Sequence, residues 1–230
     1  WFRCHPFTFA GAAGKQGSLI MTTVSTQQTK APRIIALGIT GASGVQYSFR
    51  LLECLLAADQ RVYMMISKAA QVVIGMETEM SLPGRTADIQ KALAEKYNAA
   101  DNQLKVYGED EWTAPVASGS NDVNAMVVCP CSMGALSAIA CGASNNLLER
   151  AADVMLKERK KLIIVPRETP YSDIHLENML KLSRMGAVMV DANPGFYNRP
   201  ESIDDLVDFV VAKILDQLEV EQKLQPRWGE

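Results

Sequence analysis

Histidine is almost missing from this chain of 230 residues: only His5 and His175 occur, far apart in the sequence. That excludes a histidine-rich metal centre. The five cysteines, Cys4, Cys54, Cys129, Cys131 and Cys141, are an odd number, and they form neither a disulfide framework nor paired C-x-x-C knuckles. No metal is expected, and a reducing cytoplasm suits such thiols best. An excess of one charge is lacking as well. The net charge is −3 with Lys and Arg scattered, so no basic face for nucleic acid is present. No apolar run approaches the roughly 18 to 20 residues of a membrane-spanning helix. Internal repeats are absent. Residues 1–20 lack the basic start and long apolar stretch of a secretory signal, and Met21 sits where a natural start could lie. With the polar run that follows, residues 1–32 read as a leader or disordered tail.

Two phosphate-binding signatures are also missing. There is no GxxxxGK[ST] loop, which argues against nucleoside triphosphate hydrolysis. Gly38, Gly41 and Gly44 do not follow the GxGxxG spacing, and the second apolar run ends in Ser67-Lys68 where a dinucleotide site wants an acid for the ribose. A mononucleotide such as FMN, with one phosphate and no second ribose, fits these gaps better than NAD.

What is present is an alternation of short apolar runs and helical patterns. Strands are expected at 33–39, 61–66, 104–107, 124–129, 161–166 and 187–190. Between them lie helical patterns, including one at 86–97, one at about 146–159 and one from 172 to about 185. A last amphipathic helix carries Ile203, Leu206, Val207, Val210, Ile214 and Leu218. This predicts one α/β domain over 33–220, a three-layer, Rossmann-like (flavodoxin-like) doubly wound parallel sheet, with a tail at 221–230. In such sheets ligands bind beyond the strand carboxyl ends. Here those ends are small or polar: Thr40-Gly41-Ala42-Ser43, Ser67-Lys68, Cys131-Ser132-Met133-Gly134 and Arg167-Glu168. The first of them reads as a phosphate cradle, glycine amides leading into a helix start, although an ordinary tight turn has the same composition. The long polar loop 108–123 is a further functional candidate.

Other residues carry two readings each. Arg150 and Lys157, two helical turns apart, suit either a site or a solvated face. Cys131 beside a helix start is either a thiol of lowered pKa or a small packing residue. His175 reads as a helix-packing or surface imidazole.

The runs "GITGASGVQYSFRLLECL", "ISKAAQVV", "VVCPCSMGALSAIACGASNNLLERAADVMLKERKKLIIVPRETPYSDIHLENMLKLSRMGA" and "NPGFYNRPESIDDLVDFVVAKIL" resemble the UbiX-type flavin prenyltransferases over about residues 33–228. The resemblance implies a homo-oligomer, a dodecamer, with FMN bound between subunits. It implies transfer of a dimethylallyl group from dimethylallyl phosphate to N5 and C6 of reduced FMN. The prenylated FMN would serve UbiD-type decarboxylases in ubiquinone synthesis and aromatic acid decarboxylation. Carried over by position, the FMN contacts fall on Gly41, Ala42, Ser43, Ser67, Ser132, Met133, Gly134, Ala135 and Arg167. The substrate phosphate falls to Arg150, Lys157, Glu168, Tyr197 and Lys213, with Glu77 and Trp112 near the prenyl group and Trp228 near the active site. Lys213 stands where the family often has Arg, a point charge in place of a planar fork.

The residue types match the chemistry implied. Breaking an allylic C–O bond leaves a carbocation and a dianionic phosphate, so fixed cations (Arg150, Lys157, Lys213) must meet the leaving oxygen while an aromatic face (Trp112) meets the carbon. Glu168 is the candidate for proton transfer, and Ser43 for orienting the flavin N5 proton. The rivals are a flavin-dependent cysteine decarboxylase, which needs an active-site histidine this chain does not offer near its flavin loops, and a non-catalytic FMN-binding regulatory protein.

Overall fold

The computed structural model describes residues 32–225. Trp228 and the leader assigned to 1–32, apart from Pro32, lie outside them. Strands β1 (Ile34–Ile39), β2 (Arg61–Ile66), β3 (Leu104–Tyr107), β4 (Val123–Cys131), β5 (Lys161–Pro166) and β6 (Val188–Met189) form one sheet in the order β3-β2-β1-β4-β5-β6, every pairing parallel. Of the two common doubly wound orders this is 3-2-1-4-5-6 rather than 2-1-3-4-5. The order therefore reverses between β1 and β4, and in sheets of this kind ligands bind beyond the carboxyl ends at that point.

Alternation along β1 shows why both faces are covered. Ile35, Leu37 and Ile39 pack on one face with α1 (Val45–Ala57) and α7 (Ile203–Leu218), as well as α2 (Lys68–Glu77) and α3 (Thr86–Lys96). Ile34 and Ala36 pack on the other with α4 (Met133–Cys141), α5 (Leu147–Lys157) and α6 (Asp173–Arg184). Every β1 residue is buried, which is how a strand inside a parallel sheet reads as a continuous apolar run.

Strands and helices run in opposite senses where they connect directly. The last turn of α5 leads into the start of β5, and α7 ends beside the strand beginnings, where Arg33 Nη1 donates to Leu218 O (2.5 Å) and Lys161 Nζ to Gln217 O (2.6 Å). The sheet thus has a carboxyl edge and an amino edge, and a helical residue's distance from either follows from its position along the helix. Loop 108–122 joins the two edges. Leu147 N donates to Glu109 O (2.7 Å) near the carboxyl edge, a short 3-10 turn spans Pro115–Ala117, and Lys160 Nζ donates to Asn121 O (2.8 Å) at the amino edge. No helix among the described residues is long and apolar enough to cross a membrane.

Candidate active site

The four strand ends meet along the carboxyl edge. Ser67 N donates to Ile39 O (3.0 Å), joining the β2 end to β1. Thr40 Oγ1 donates to Pro130 O (2.8 Å) and accepts from Ser132 N (2.7 Å), joining β1 to β4. Arg167 N donates to Cys131 O (3.2 Å), joining β4 to β5. Gly41, Ala42, Ser43, Ser67, Ser132 to Ala135, Arg167 and Glu168 are therefore neighbours in space. Gly41 cannot be larger, because a Cβ there would lie 2.5 Å from Ala69 Cβ in the first turn of α2. Gly44 holds φ at 106°, a left-handed conformation that glycine adopts without strain.

What occupies the bend differs from a phosphate cradle. The Glu77 carboxylate, at the far end of α2, accepts from Gly44 N (2.9 Å) and Val45 N (3.2 Å), so an internal anion already takes the amides at the start of α1. The reason is tertiary: α2 passes the bend with its first turn against Gly41 and its last residue against Gly44. Glu77 stands close to Ser43, whose own side chain is exposed. The first amide of α2 is also taken, Lys68 N donating to Glu109 Oε1 (3.2 Å), while Ser67 Oγ caps Ala70 N (3.1 Å).

The start of α4 is different. Ser132 Oγ caps it loosely, accepting from Ala135 N at 3.4 Å, and the amides of Met133 and Gly134 lie in the first turn, where a helix has no acceptor of its own. Above Gly134 the space is open, since a Cβ there would meet nothing within 4 Å. Beside this terminus, Arg167 Nε is buried with no hydrogen-bond partner. Burying such a donor unpaired costs roughly 1–3 kcal/mol or more, so the position calls for an acceptor. Arg167 also faces two phenols. Burial raises the pKa of Tyr47 and Arg167 opposes it; burial and a 2.8 Å bond to Asp191 Oδ1 push Tyr171 up to about 12, Arg167 again opposing. A free helix start beside the buried, unpaired Nε of Arg167 and open space over glycine fit the phosphate and ring of FMN.

The assigned phosphate cations lie elsewhere in the same chain. Arg150 Nε donates to Ala117 O (3.1 Å), and its Nη1 pairs with Asp153 (2.8 Å). Lys157 ends α5 at the amino edge, paired with Glu158 and against Gly119. Tyr197 and Lys213 come together on Phe209, the first edge-to-face at 5.6 Å and the second with Nζ 5.7 Å from the ring centre, on the exposed side of α7. Glu168 Oε1 accepts from Thr169 N (3.0 Å) next to Arg167, and Trp112 is exposed in the loop that starts at the carboxyl edge. Glu168 thus sits beside Arg167, whereas Lys157 lies at the amino edge; Arg150 is held by Ala117 O and Asp153, and Tyr197 and Lys213 by Phe209.

Thr40 and Phe209 were not singled out as site residues. The signal for Thr40 was its place at the head of the small-residue run; for Phe209 it was an aromatic four residues before Lys213 on one helix face. The reading of Cys131 as an activated thiol is overturned: it is fully buried and its pKa is raised, with Cys129 pushed to about 12, because desolvation outweighs any helix-start effect. His175 serves the start of α6, its Nδ1 accepting from Ser172 N (3.2 Å) and its own N donating to Ser172 Oγ (3.4 Å). No group of three or more metal-ligating side chains occurs among the described residues.

Sheet order, topological switch point and an open helix start beside Arg167 together define a doubly wound α/β protein whose carboxyl edge is suited to an anionic ligand. Residues 22–215 match the Flavoprotein family. The flavin prenyltransferase UbiX of Pseudomonas aeruginosa is 57% identical over 199 residues, 86% of this chain and 95% of that protein. A crystal structure of AnUbiX (PadA1) in complex with FMN and dimethylallyl pyrophosphate matches at TM-score 0.77 and 38% identity, covering 86% of this chain and 98% of that one. A dodecameric FMN-dependent UbiX-like decarboxylase from Escherichia coli O157:H7 matches at TM-score 0.74 and 41% identity, over 86% of this chain and 100% of that one. The chain belongs to the flavoproteins and, among them, to the UbiX flavin prenyltransferases, which make prenylated FMN.

Proposed function

We propose that this chain transfers the dimethylallyl group of dimethylallyl phosphate to N5 and C6 of reduced FMN, in an assembly where the neighbouring copy completes each site. The observation that carries the reading is the unpaired, buried Arg167 Nε beside the open first turn of α4. When bound, reduced FMN supplies the nucleophilic nitrogen and carbon. Gly41 to Ser43, Ser67, Ser132 to Ala135 and Arg167 hold it; Ser43 Oγ orients the proton at N5.

The substrate phosphate needs several cations at once, because the allylic bond breaks only if the departing dianion is stabilised as it forms. Arg150, Lys157 and Lys213, with Tyr197, have the right types, and each is held in its own chain by a partner other than Arg167: Ala117 O and Asp153 for Arg150, Glu158 for Lys157, Phe209 for Tyr197 and Lys213. A second copy presenting those side chains to this carboxyl edge brings the two sets together, which accords with the dodecameric E. coli relative. Trp112 offers its π face to the allyl cation, and Glu168 moves the proton released on ring closure. These groups supply the charge, so the proposal assigns no metal. The product would pass to a UbiD-type decarboxylase in the cytoplasm for ubiquinone synthesis or aromatic acid decarboxylation. Trp228 near the active site remains part of the proposal.

Anaerobic incubation with FMN, a reductant and dimethylallyl phosphate, followed by mass spectrometry of the extracted flavin, tests it. A mass gain of one isoprene unit is expected. Unaltered flavin, with the pyrophosphate as well as the monophosphate, overturns the transfer and leaves an FMN carrier.

A further inference from the structure

Three seams hold the strand ends together, and only one of them depends on a side chain. Ser67 N to Ile39 O and Arg167 N to Cys131 O are backbone bonds that almost any residue could supply. Between β1 and β4 the parallel ladder runs only as far as Gly38 and Val128. Beyond it β4 reaches Pro130, which has no N–H to donate, so the next rungs cannot form in the usual way. Thr40 replaces them. Its N–H (3.2 Å) and its Oγ1 (2.8 Å) both donate to Pro130 O, and the same Oγ1 accepts from Ser132 N (2.7 Å). Thr40 is only 4% exposed, so water does not substitute for its hydroxyl.

The two segments tied by this hydroxyl are the bend Gly41 to Ser43, which Thr40 directly precedes, and the α4 start, which Ser132 caps. We propose that Thr40 is a positioning residue for the flavin: its hydroxyl fixes the width of the crevice between the β1 bend and the α4 terminus, and thereby the placement of the amides that receive FMN. The inference rests on the FMN reading above. Thr40 itself touches no reacting atom. Displacing either segment by a fraction of an ångström weakens short, directional bonds to a rigid ligand while leaving the hydrophobic core intact.

Three variants grade the hydroxyl. Thr40→Ser keeps donor and acceptor, Thr40→Cys keeps both weakly, and Thr40→Val keeps the shape and removes them. Equilibrium FMN binding, followed by flavin absorbance and fluorescence, is measured on folded protein alongside the melting temperature without flavin. The FMN dissociation constant is expected to stay within about threefold for Ser, to rise several-fold for Cys and to rise about tenfold or more for Val, with a shifted bound-flavin spectrum. If Val does not fold, the Ser-to-Cys step carries the comparison. Parent-like FMN affinity and spectrum in every folded Cys or Val variant, whatever the melting temperature, overturn the proposal; so does equal loss in Ser and Val, which would make the role one of shape. Prenylation by the parent enzyme is assayed separately. A parent that binds FMN without prenylating it refutes the transferase reading and leaves the Thr40 test intact.

Discussion

The carboxyl edge of the sheet and the flanks of α5 and α7 carry the two halves of the proposed chemistry, and they are built in opposite ways. At the edge, small residues sit on buried strand ends, each end is stitched to the next, and one guanidinium nitrogen is left without a partner. On the flanks, long cationic side chains stand on helix surfaces and already hold acceptors: Asp153 and Ala117 O for Arg150, Glu158 for Lys157, the Phe209 ring for Lys213. The edge is preorganised within one chain to receive a ligand. The flanks are held ready, and a phosphate dianion can exchange with exposed, weakly bound partners because surface pairs are worth at most about 1 kcal/mol. On the proposed function, a chain of this kind would bind flavin through its own edge and turn over substrate only against another chain's flank.

The strongest way to break that contrast is Arg167→Met. Loss of the guanidinium should weaken FMN binding by roughly 4 kcal/mol, on the order of a thousandfold, since a buried charge-assisted partner of the ligand disappears. The melting temperature of the flavin-free protein should hold or rise, because an unsatisfied buried donor goes with it. Titration with FMN and thermal melts check both. Retained affinity, or a collapse in stability without flavin, would make Arg167 a structural residue of the fold.

Lys157→Ala is the converse. FMN affinity should stay within about twofold while kcat/KM for dimethylallyl phosphate drops by about 3 kcal/mol, roughly a hundredfold. Co-expression of the Lys157→Ala chain with the Arg167→Met chain sharpens the comparison further. Mixed assemblies contain contacts where an intact edge faces an intact flank, so part of the activity should return. Failure to regain any turnover in verified mixed oligomers would place both residues in the same chain's site.

The edge was largely legible in the sequence and the flanks were not, for physical reasons. Strands β2, β3 and β5 begin and end where the apolar runs do, because their mostly buried positions select apolar residues, with Arg61 and Lys161 only at the first positions and Lys105 at the one exposed position of β3. The small residues after them marked the crevice. β4 runs two residues past the expected 129, since its pairing with β5 resumes at Cys131 and Pro166 after a proline that reads locally as a stop. Glu77 as the acceptor for the α1 start was invisible for another reason. It depends on how α2 lies across the bend, and no local pattern encodes that. Helical periodicity put Arg150 and Lys157 on one stripe, but it cannot say whose ligand the stripe meets.

The smallest expected effect probes the edge through Tyr171, whose hydroxyl ties the loop after β5 to Asp191 after β6. Burial first, then the bond to Asp191, raises this phenol from 10.0 to about 12 in the folded protein. Between those values the unfolded chain has released the proton and the folded one still holds it, so folding stability falls as pH rises through this window. Tyr97 and Tyr107, each also raised to about 12, contribute in the same range. Tyr171→Phe should cost about 1 kcal/mol near neutral pH, the worth of one hydrogen bond. Its melting temperature should then converge on the parent's as the pH rises above about 10, because the variant has one fewer group to titrate. A gap that stays constant across that range would mean that the phenol ionises alike in the folded and unfolded chains, and that Asp191 holds the loop without help from this hydroxyl.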